Sequence, residues 1–267
     1  MPFGVARMNL RPAMKTVGEN ARTAPWVAAV VTAGGTVSAG RRTLVNDLYN
    51  RLDAAGLTPA RLWLHAAENA PSALVDLYGL ASATAVNSPT FTANQGYAGN
   101  GTSSYLNLGT SSAGTQNSSA FGVYMRTDIG GLGVVDIGSS SNTVPYTSTL
   151  NIEWSDGTMY AAINDANADG GRSPPATNSG IWMVSRTVST EFVIYHAGSS
   201  FGTGTPDSSG VPNLNYTTGA SFDSGGVATL FSTRQYGMSV LAGTGWTGTQ
   251  VANFTTHIQT YLTAVGA

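Results

Sequence analysis

Between residues 61 and 243 the chain is a succession of short apolar runs, each ended within a few residues by Gly, Pro, Asn or Ser. Apolar side chains recur at every second position in Phe121, Val123 and Met125, and again in Phe192 and Ile194. This period of two predicts β-strands, and many short strands without intervening helices predict an antiparallel sandwich. The predicted strands are 61–67, 73–77, 120–126, 133–137, 148–154, 159–163, 181–186, 191–196 and 237–241.

Helical patterns flank the β region on both sides. Thr23 is predicted to cap a short helix with Pro25 in its first turn, and Ser38 to cap a second helix. The second helix has an apolar face of Leu44, Val45, Leu48 and Leu52, and a predicted solvent face of Arg41, Asp47, Asn50 and Arg51. Near the end, Thr247 and Gln250 form a capping-box pattern before an amphipathic helix.

These patterns divide the chain into three parts. Residues 1–22 carry few apolar anchors and are predicted to be an extended docking arm. Residues 23–60 form a helical lead-in, and residues 61–267 form a jelly-roll-like antiparallel β-sandwich that closes with a helix over 247–265. The predicted fold class is therefore mainly β, with helices at both ends.

Composition narrows the class of protein. Only 10% of the 267 residues are charged, and there is no cysteine, which excludes disulfides and thiolate metal sites. A polar but uncharged surface suits sheets that pack against neighbours in a large assembly, and it also suits a secreted β-sandwich. The positive residues form no stripe, so nucleic acid is not an expected partner. No signal-peptide core is visible, and the longest apolar run, 26–31, is too short for a membrane span.

The segment 91–109 is predicted to be a hairpin. Phe91 and Tyr97 are the apolar anchors of one strand, Asn100-Gly101 is a two-residue turn signal, and Tyr105 begins the return strand. The long polar segment 198–226 interrupts the strand spacing, so we predict an exposed excursion that carries the recognition surface.

Three blocks of the sequence resemble the concanavalin A-like (laminin-G-like) domains of bacteriophage structural proteins. They are the helical lead-in 26–64, the predicted hairpin 91–109, and the closing turn and helix 241–262. Residues 65–71 depart from the family pattern, which usually has a Lys-bearing turn there. The resemblance implies a virion component of tail, fibre or head-appendage type, with other virion proteins and further copies of itself as partners. It implies no catalytic residue set.

Three short strings match enzyme motifs and are predicted to be turns. Residues 243–248 read GxGxxG, but no acidic residue follows to hold a ribose. Residues 198–202 match a nucleophile elbow, yet the Gly- and Pro-containing residues that follow cannot start a helix. Residues 222–226 resemble a serine-protease nucleophile string without a recognisable histidine motif.

A partial calcium loop is the remaining metal candidate. Asp165, Asn167 and Asp169 place oxygen ligands at alternating positions before Gly170. The twelfth position is Ala176 rather than a bidentate Glu, which favours an ordinary Asn/Asp/Gly connection over a calcium loop. Whether an ion sits there is left open.

The other side chains with chemical potential are scattered. Glu153 and Asp156 are the only candidates for a glycosidase carboxylate pair, and their spacing puts them on opposite faces of a strand. The histidines have no metal-ligand spacing: His65, His196 and His257. Aromatic residues on predicted strands and turns serve either a core or a sugar-stacking site: Trp154, Tyr160, Trp182, Tyr236 and Trp246.

We therefore expect a non-enzymatic virion protein without cofactor, metal or catalytic residues, contributing to attachment at a host-surface glycan. The alternatives are a free carbohydrate-binding lectin-like module and a glycan hydrolase.

Overall fold

The computed structural model describes residues 18–130, 133–142, 146–166 and 169–267, and for 169–171 the backbone alone. The helices are α1 (Thr23–Thr32), α2 (Ala39–Ala54), α3 (Ala70–Leu74) and α4 (Gly248–Val265). The strands are β1 (Arg61–Trp63), β2 (Thr84–Val86), β3 (Thr90–Thr92), β4 (Gly96–Ala98), β5 (Tyr105–Asn107), β6 (Gly114–Thr115), β7 (Ser118–Met125), β8 (Ile137–Ser140), β9 (Thr147–Asn151), β10 (Met159–Asp165), β11 (Asp169–Arg172), β12 (Gly180–Arg186), β13 (Phe192–His196), β14 (Ser199–Gly204), β15 (Thr217–Thr218), β16 (Ser221–Phe222), β17 (Ala228–Thr229) and β18 (Gln235–Leu241).

Two antiparallel sheets form a β-sandwich, as the sequence predicts. The nine-stranded sheet has the order β14-β13-β12-β7-β18-β4-β3, with β1 beside β18 and β6 beside β7. The seven-stranded sheet has the order β11-β10-β9-β8-β15-β5-β2, and β16 pairs with β17 in a separate hairpin. Neighbours in these sheets lie far apart in sequence, as β15 between β5 and β8 shows, which is typical of a jelly-roll-like sandwich.

The nine-stranded sheet is buried on both faces. On β7, Phe121 and Val123 join the core between the two sheets. Ala120 and Tyr124, which point the other way, join a second core formed with the helices. That second core contains Trp26 of α1, the apolar face of α2 and the buried face of α4. The helical lead-in and the C-terminal helix therefore cover apolar sheet surface.

The helix caps follow the sequence in two cases and differ in one. Ser38 caps α2 by accepting a hydrogen bond from the Arg41 N–H, and Thr247 caps α4 in a full capping box with Gln250. The predicted cap at Thr23 is wrong, because Arg22 is at the N-cap position and makes no side-chain cap. The Thr23 hydroxyl instead donates to Asn46 Oδ1 at 3.1 Å, since a long-range partner competes with the local cap.

The solvent face predicted for Arg41 is wrong. Arg41 is buried, and its guanidinium donates to the Ala66 carbonyl at 2.7 Å and to the Tyr261 hydroxyl at 2.5 Å. It also donates to Asn94 Oδ1 at 2.5 Å. The five donors of a guanidinium allow one arginine to hold several partners, so Arg41 joins α2 to α4 and to the loop after β1.

The hairpin predicted over 91–109 is also placed wrongly. The turn lies between β3 and β4, where Asn94 has a φ of 63°, and β5 belongs to the opposite sheet. Asn100 does not form a two-residue turn. Its side-chain oxygen accepts from the backbone N–H groups of Ser103 and Ser104 at 2.8 and 3.0 Å, which stabilises a crossing between the sheets.

Three further segments differ from the sequence prediction. Residues 73–77 overlap α3 rather than a strand, because Asn69 caps a helix that has a proline in its first turn. The strand predicted over 133–137 begins only at Ile137. The excursion predicted over 198–226 contains β14, β15 and β16, and Tyr216 is buried in it. Of the predicted arm, residues 1–17 lie outside the described residues.

Candidate functional site

A groove of about 600 Å³ opens on the outer face of the seven-stranded sheet. The floor is formed by β8 and β9, one wall by the β16–β17 hairpin, and the other by the turn between β9 and β10. Its described lining residues are Val135, Ser140, Thr147, Thr149, Asn151, Trp154, Tyr160, Ser221, Phe222, Asp223, Thr229 and Leu230.

The floor follows from the alternation of β9. Ser148 and Leu150 are fully buried and point into the sandwich, so Thr147, Thr149 and Asn151 point outward. Thr149 lies opposite Gly138 of β8 and Ala162 of β10 in the strand register. Because neither neighbour extends beyond a methyl group, space remains above the Thr149 side chain. Asn151 is held in place by donating to the Val134 carbonyl at 2.9 Å.

The β16–β17 hairpin forms the first wall. Ser221 Oγ lies 3.4 Å from Ser140 Oγ of β8, which sets the hairpin beside the floor. Phe222 packs edge-on against Tyr105, with ring centroids 6.1 Å apart. Asp223 Oδ1 accepts from the Gly225 and Val227 N–H groups at 2.8 and 2.9 Å, so this carboxylate shapes the hairpin turn at the rim of the groove.

Two aromatic residues form the second wall. Trp154 and Tyr160 flank a turn at Asp156-Gly157, a typical hairpin-turn dipeptide, in which Gly157 takes a positive φ of 76°. Their rings pack edge-on, 6.4 Å apart between centroids. The Tyr160 hydroxyl donates to Asp156 Oδ2 at 2.8 Å. Hydrogen bonds from the side chains of Thr158 and Tyr160 lower the pKa of Asp156, so its carboxylate is charged near neutral pH.

A buried ion pair fixes the backbone beneath the groove. Asp136 follows the lining residue Val135 and accepts two hydrogen bonds from Arg234 at 2.8 and 2.9 Å, with both side chains fully buried. The Tyr236 hydroxyl donates to the same carboxylate at 2.7 Å. Burial, and then the charge of Asp136, raise the pKa of Tyr236 well above its ordinary value, so the phenol keeps its proton.

A second surface depression, of about 680 Å³, lies between α4 and the ends of β12 and β13. Its described lining has no aromatic side chain and consists mainly of threonines and small residues. Thr256 and Thr260 donate to carbonyls of their own helix, so these hydroxyl groups cannot donate their protons to a ligand as well. The aromatic groove is therefore the better candidate site.

The candidate carboxylates from the sequence are not brought together in the groove. Glu153 Oε2 accepts from Asn178 Nδ2 at 2.5 Å, and Asp156 is engaged by Thr158 and Tyr160. Neither is among the described lining residues.

The partial calcium loop can be followed only in part. Asp165 lies 3.8 Å from an Arg186 nitrogen, Asn167 lies outside the described residues, and the Asp169 side chain is not described. In the described part of the chain, no three His, Asp or Glu side chains are grouped as metal ligands are.

The three histidines are separate. His65 is fully buried, with Nδ1 2.9 Å from the Ala73 carbonyl and Nε2 3.0 Å from Ser239 Oγ. His196 stacks on Trp182 at 4.1 Å between ring centroids, and His257 lies on α4.

The aromatic candidates divide between core and surface. Trp182, Tyr236 and Trp246 are buried in the cores, whereas Trp154 and Tyr160 line the groove. Sequence reasoning missed Thr149 and Asn151, whereas Ser221 and Phe222 lie within the segment 198–226 that it predicts to carry the recognition surface. The signal for Thr149 and Asn151 was partial, because alternation along β9 places them on the opposite side from Leu150.

The enzyme-like strings form turns or edge structure. Residues 243–248 lead into α4, and at Gly245 a Cβ atom would lie 2.0 Å from the Arg186 carbonyl oxygen, which accounts for the glycine. Residues 198–202 belong to the β13–β14 turn and the edge strand β14. Ser224 lies in the turn of the β16–β17 hairpin.

Among the residues that the model describes, no helix combines the length and apolar character needed to cross a membrane.

The sequence matches no protein-family model and no curated protein, but solved structures match the fold. Trypanosoma rangeli sialidase in complex with 2,3-difluoro-KDN is 12% identical over 83% of this chain and 40% of its own, with a TM-score of 0.54. The same sialidase in complex with sialic acid is 11% identical over 84% and 40%, with a TM-score of 0.51. Domain 4 of AbnA, a GH43 extracellular arabinanase from Geobacillus stearothermophilus in complex with arabinotriose, is 14% identical over 74% and 98%, with a TM-score of 0.49.

The chain thus spans about 40% of the length of the sialidase chains that it matches. At such low identity the sialidase matches show the fold alone. The sialidase is not a bacteriophage protein, so the predicted virion role has no support from these matches. The chain has a concanavalin A-like β-sandwich fold, as the sequence predicts.

Proposed function

We propose that this protein is a non-enzymatic, lectin-like module that binds a glycan in the groove on the seven-stranded sheet. The observation that carries the proposal is the placement of Trp154 and Tyr160 beside a floor of threonine and asparagine side chains.

The chemistry of the groove suits a sugar. One face of a pyranose ring consists of C–H groups and packs on an aromatic ring, while its hydroxyls both donate and accept hydrogen bonds. The Thr149 hydroxyl has no hydrogen-bond partner among the described residues and lines the groove. The volume of about 600 Å³ lies within the usual range of small-molecule sites.

The fold gives weaker support. A matched solved structure is a sialidase in complex with sialic acid. This chain covers only 40% of that enzyme, so the likeness supports sugar binding by analogy of fold alone and does not indicate which sugar binds.

The proposal is for binding rather than catalysis. Retaining glycoside hydrolysis uses two carboxyl groups roughly 5–5.5 Å apart on either side of the scissile bond. In the described lining, Asp223 is the single carboxylate, and it holds a hairpin turn. If polysaccharides are cleaved and Glu153→Gln abolishes the cleavage, the proposal is wrong and the hydrolase alternative is right.

The experiment is a glycan array probed with the purified protein, followed by calorimetric titration of the best ligand. Trp154→Ala should weaken binding at least about tenfold, because it removes the ring on which the sugar packs. Gln259→Ala, in the depression beside α4, is the matched control and should bind normally. Equal affinities of wild type and Trp154→Ala would contradict the proposal.

The virion role and virion localisation stay predictions from the sequence. They would make this module a part of a bacteriophage tail, fibre or head appendage, with attachment to a host glycan as its contribution. Mass spectrometry of purified particles tests this separately: the protein should co-purify at a fixed stoichiometry, and its absence from particles would contradict the prediction.

A further inference from the structure

From the charges around the groove we infer that its ligand is an uncharged glycan and that acidic sugars are excluded. This inference rests on the proposed function and specifies its substrate class.

The sandwich carries a large excess of negative charge. Residues 61–267 have eleven Asp and Glu residues and five arginines, a formal net charge of −6. Residues 1–60 carry the opposite excess, with seven Lys and Arg against three Asp and Glu. The groove therefore lies in the acidic part of the chain, whose field disfavours anionic ligands.

All five arginines of the sandwich bind groups of the protein itself. Arg61 of β1 pairs with the buried Asp76 at 2.9 Å, and Arg234 pairs with the fully buried Asp136. Arg186 donates to the carbonyls of Ile163 and Ser189 at 3.0 and 2.7 Å. The other two donate to Gln235 Oε1 (Arg126) and to the Thr203 carbonyl (Arg172). None of the five is among the described lining residues of the groove.

The charges at the groove itself are negative. Asp223 lines it and is exposed, and Asp156 adjoins it through the Tyr160 hydroxyl. The described lining contains no Lys, Arg or His.

A carboxylate on a sugar loses hydration when it enters a groove, and proteins offset this loss with Arg or Lys, most strongly with a bidentate guanidinium. Here the carboxylate would gain no cation and would meet two negative groups. The polar side chains that do line the groove suit hydroxyls: Ser140, Thr147, Thr149, Asn151, Ser221 and Thr229.

The test uses an array on which each neutral oligosaccharide is printed beside its sialylated and its uronic-acid counterpart. The best pair is then measured by calorimetry with the whole 267-residue chain. At about 0.15 M salt, where charges act over roughly 8 Å, the acidic member should bind at least about tenfold more weakly than the neutral one.

Asp223→Asn tests whether the negative charge of Asp223 causes the weaker binding of acidic glycans. The substitution removes the charge and keeps the side-chain oxygen that holds the hairpin turn. It should reduce the ratio of neutral to acidic affinity about threefold. Asp47→Asn, on the exposed side of α2, is the matched control and should leave the discrimination unchanged.

The outcomes separate the two claims. If an acidic glycan binds as tightly as its neutral counterpart and Trp154→Ala abolishes its binding, the groove is a glycan site but the inference of an uncharged ligand is overturned. If no glycan of either kind binds, the proposed function is overturned, and this inference with it.

Discussion

At the scale of single residues, His65 shows how burial determines what a titratable side chain can do. Its two ring nitrogens contact the Ala73 carbonyl and Ser239 Oγ inside the protein, and Ser239 Oγ lies 2.7 Å from Thr218 Oγ1 of the opposite sheet. Burial lowers the pKa of His65 from 6.5 to about 4. The neutral imidazole therefore belongs to a buried hydrogen-bonded chain in which Ser239 makes the contact between the two sheets, and no substrate reaches it.

This pKa predicts an acid-sensitive fold. Below pH 6.5 the unfolded chain takes up a proton that the folded chain does not bind, so stability falls as the pH decreases toward 4. The contribution of His65 to this loss is roughly 3 kcal/mol. We expect urea unfolding of the wild type to show this loss between pH 7 and pH 4.

The control for this prediction is His65→Gln, which cannot take up the proton. Between pH 7 and pH 4 its free energy of unfolding should fall less than that of the wild type, and the difference should equal the contribution of His65. The carboxylates titrate equally in both proteins, so they do not contribute to this difference. Parallel pH profiles for the two proteins would contradict the assignment.

The residues that line the groove could be predicted from the sequence only in part. Period-two alternation shows that Thr149 and Asn151 are on the opposite side of β9 from Leu150. It does not distinguish the solvent side from the core side when both carry small polar residues, because Ser148 is buried as well. The aromatic pair was visible in the sequence, but Trp182 and Tyr236 looked similar and are core residues.

At the scale of elements, Arg41 determines how α2 is attached to the sandwich. It donates to Ala66, Asn94 and Tyr261, which lie on three other segments. Burial raises the pKa of Tyr261 to about 12, so its hydroxyl remains protonated over the stable pH range. Helical periodicity predicts α2 itself but not this contact, because the partners are brought in by tertiary packing.

We predict different effects for two adjacent arginines. Arg41→Met should lower the free energy of unfolding by about 2–3 kcal/mol, because hydrogen bonds from a charged group are lost and the Asn94 side-chain oxygen loses its donor. Arg42→Met is the control. Arg42 is exposed and, among the described residues, pairs with the exposed Glu19, so its replacement should leave stability nearly unchanged. Chemical denaturation measures both, and equal effects would contradict the attachment role.

The strands show why local signals succeed or fail. β7, β10, β12, β13 and β18 are long and have strong apolar patterns, and the sequence locates them. The segment 91–109 is misread because Asn100-Gly101 is a good local turn signal, whereas the sheet to which β5 belongs is decided by partners distant in sequence, such as Thr217.

At the scale of the whole molecule, the groove requires segments that are far apart in the chain. Ser140 and Ser221, which meet between floor and wall, are 81 positions apart. No local pattern encodes such a pairing, because it depends on sheet topology. The sequence therefore predicts the sandwich and the helices that cover it, and it places the recognition surface in 198–226, which contains part of one wall of the groove. It predicts neither the β16–β17 pairing nor the floor on β8 and β9.

The central claim is that a glycan occupies the groove between Trp154 and the β16–β17 hairpin. The most direct measurement is a titration of the isotope-labelled protein with the best array ligand, followed by two-dimensional NMR. We expect the largest shift changes at the Trp154 indole N–H and at the backbone amides of Thr149 and Phe222. Changes concentrated at Thr255, Gln259 and Thr263 beside α4, with the groove signals unmoved, would contradict the claim.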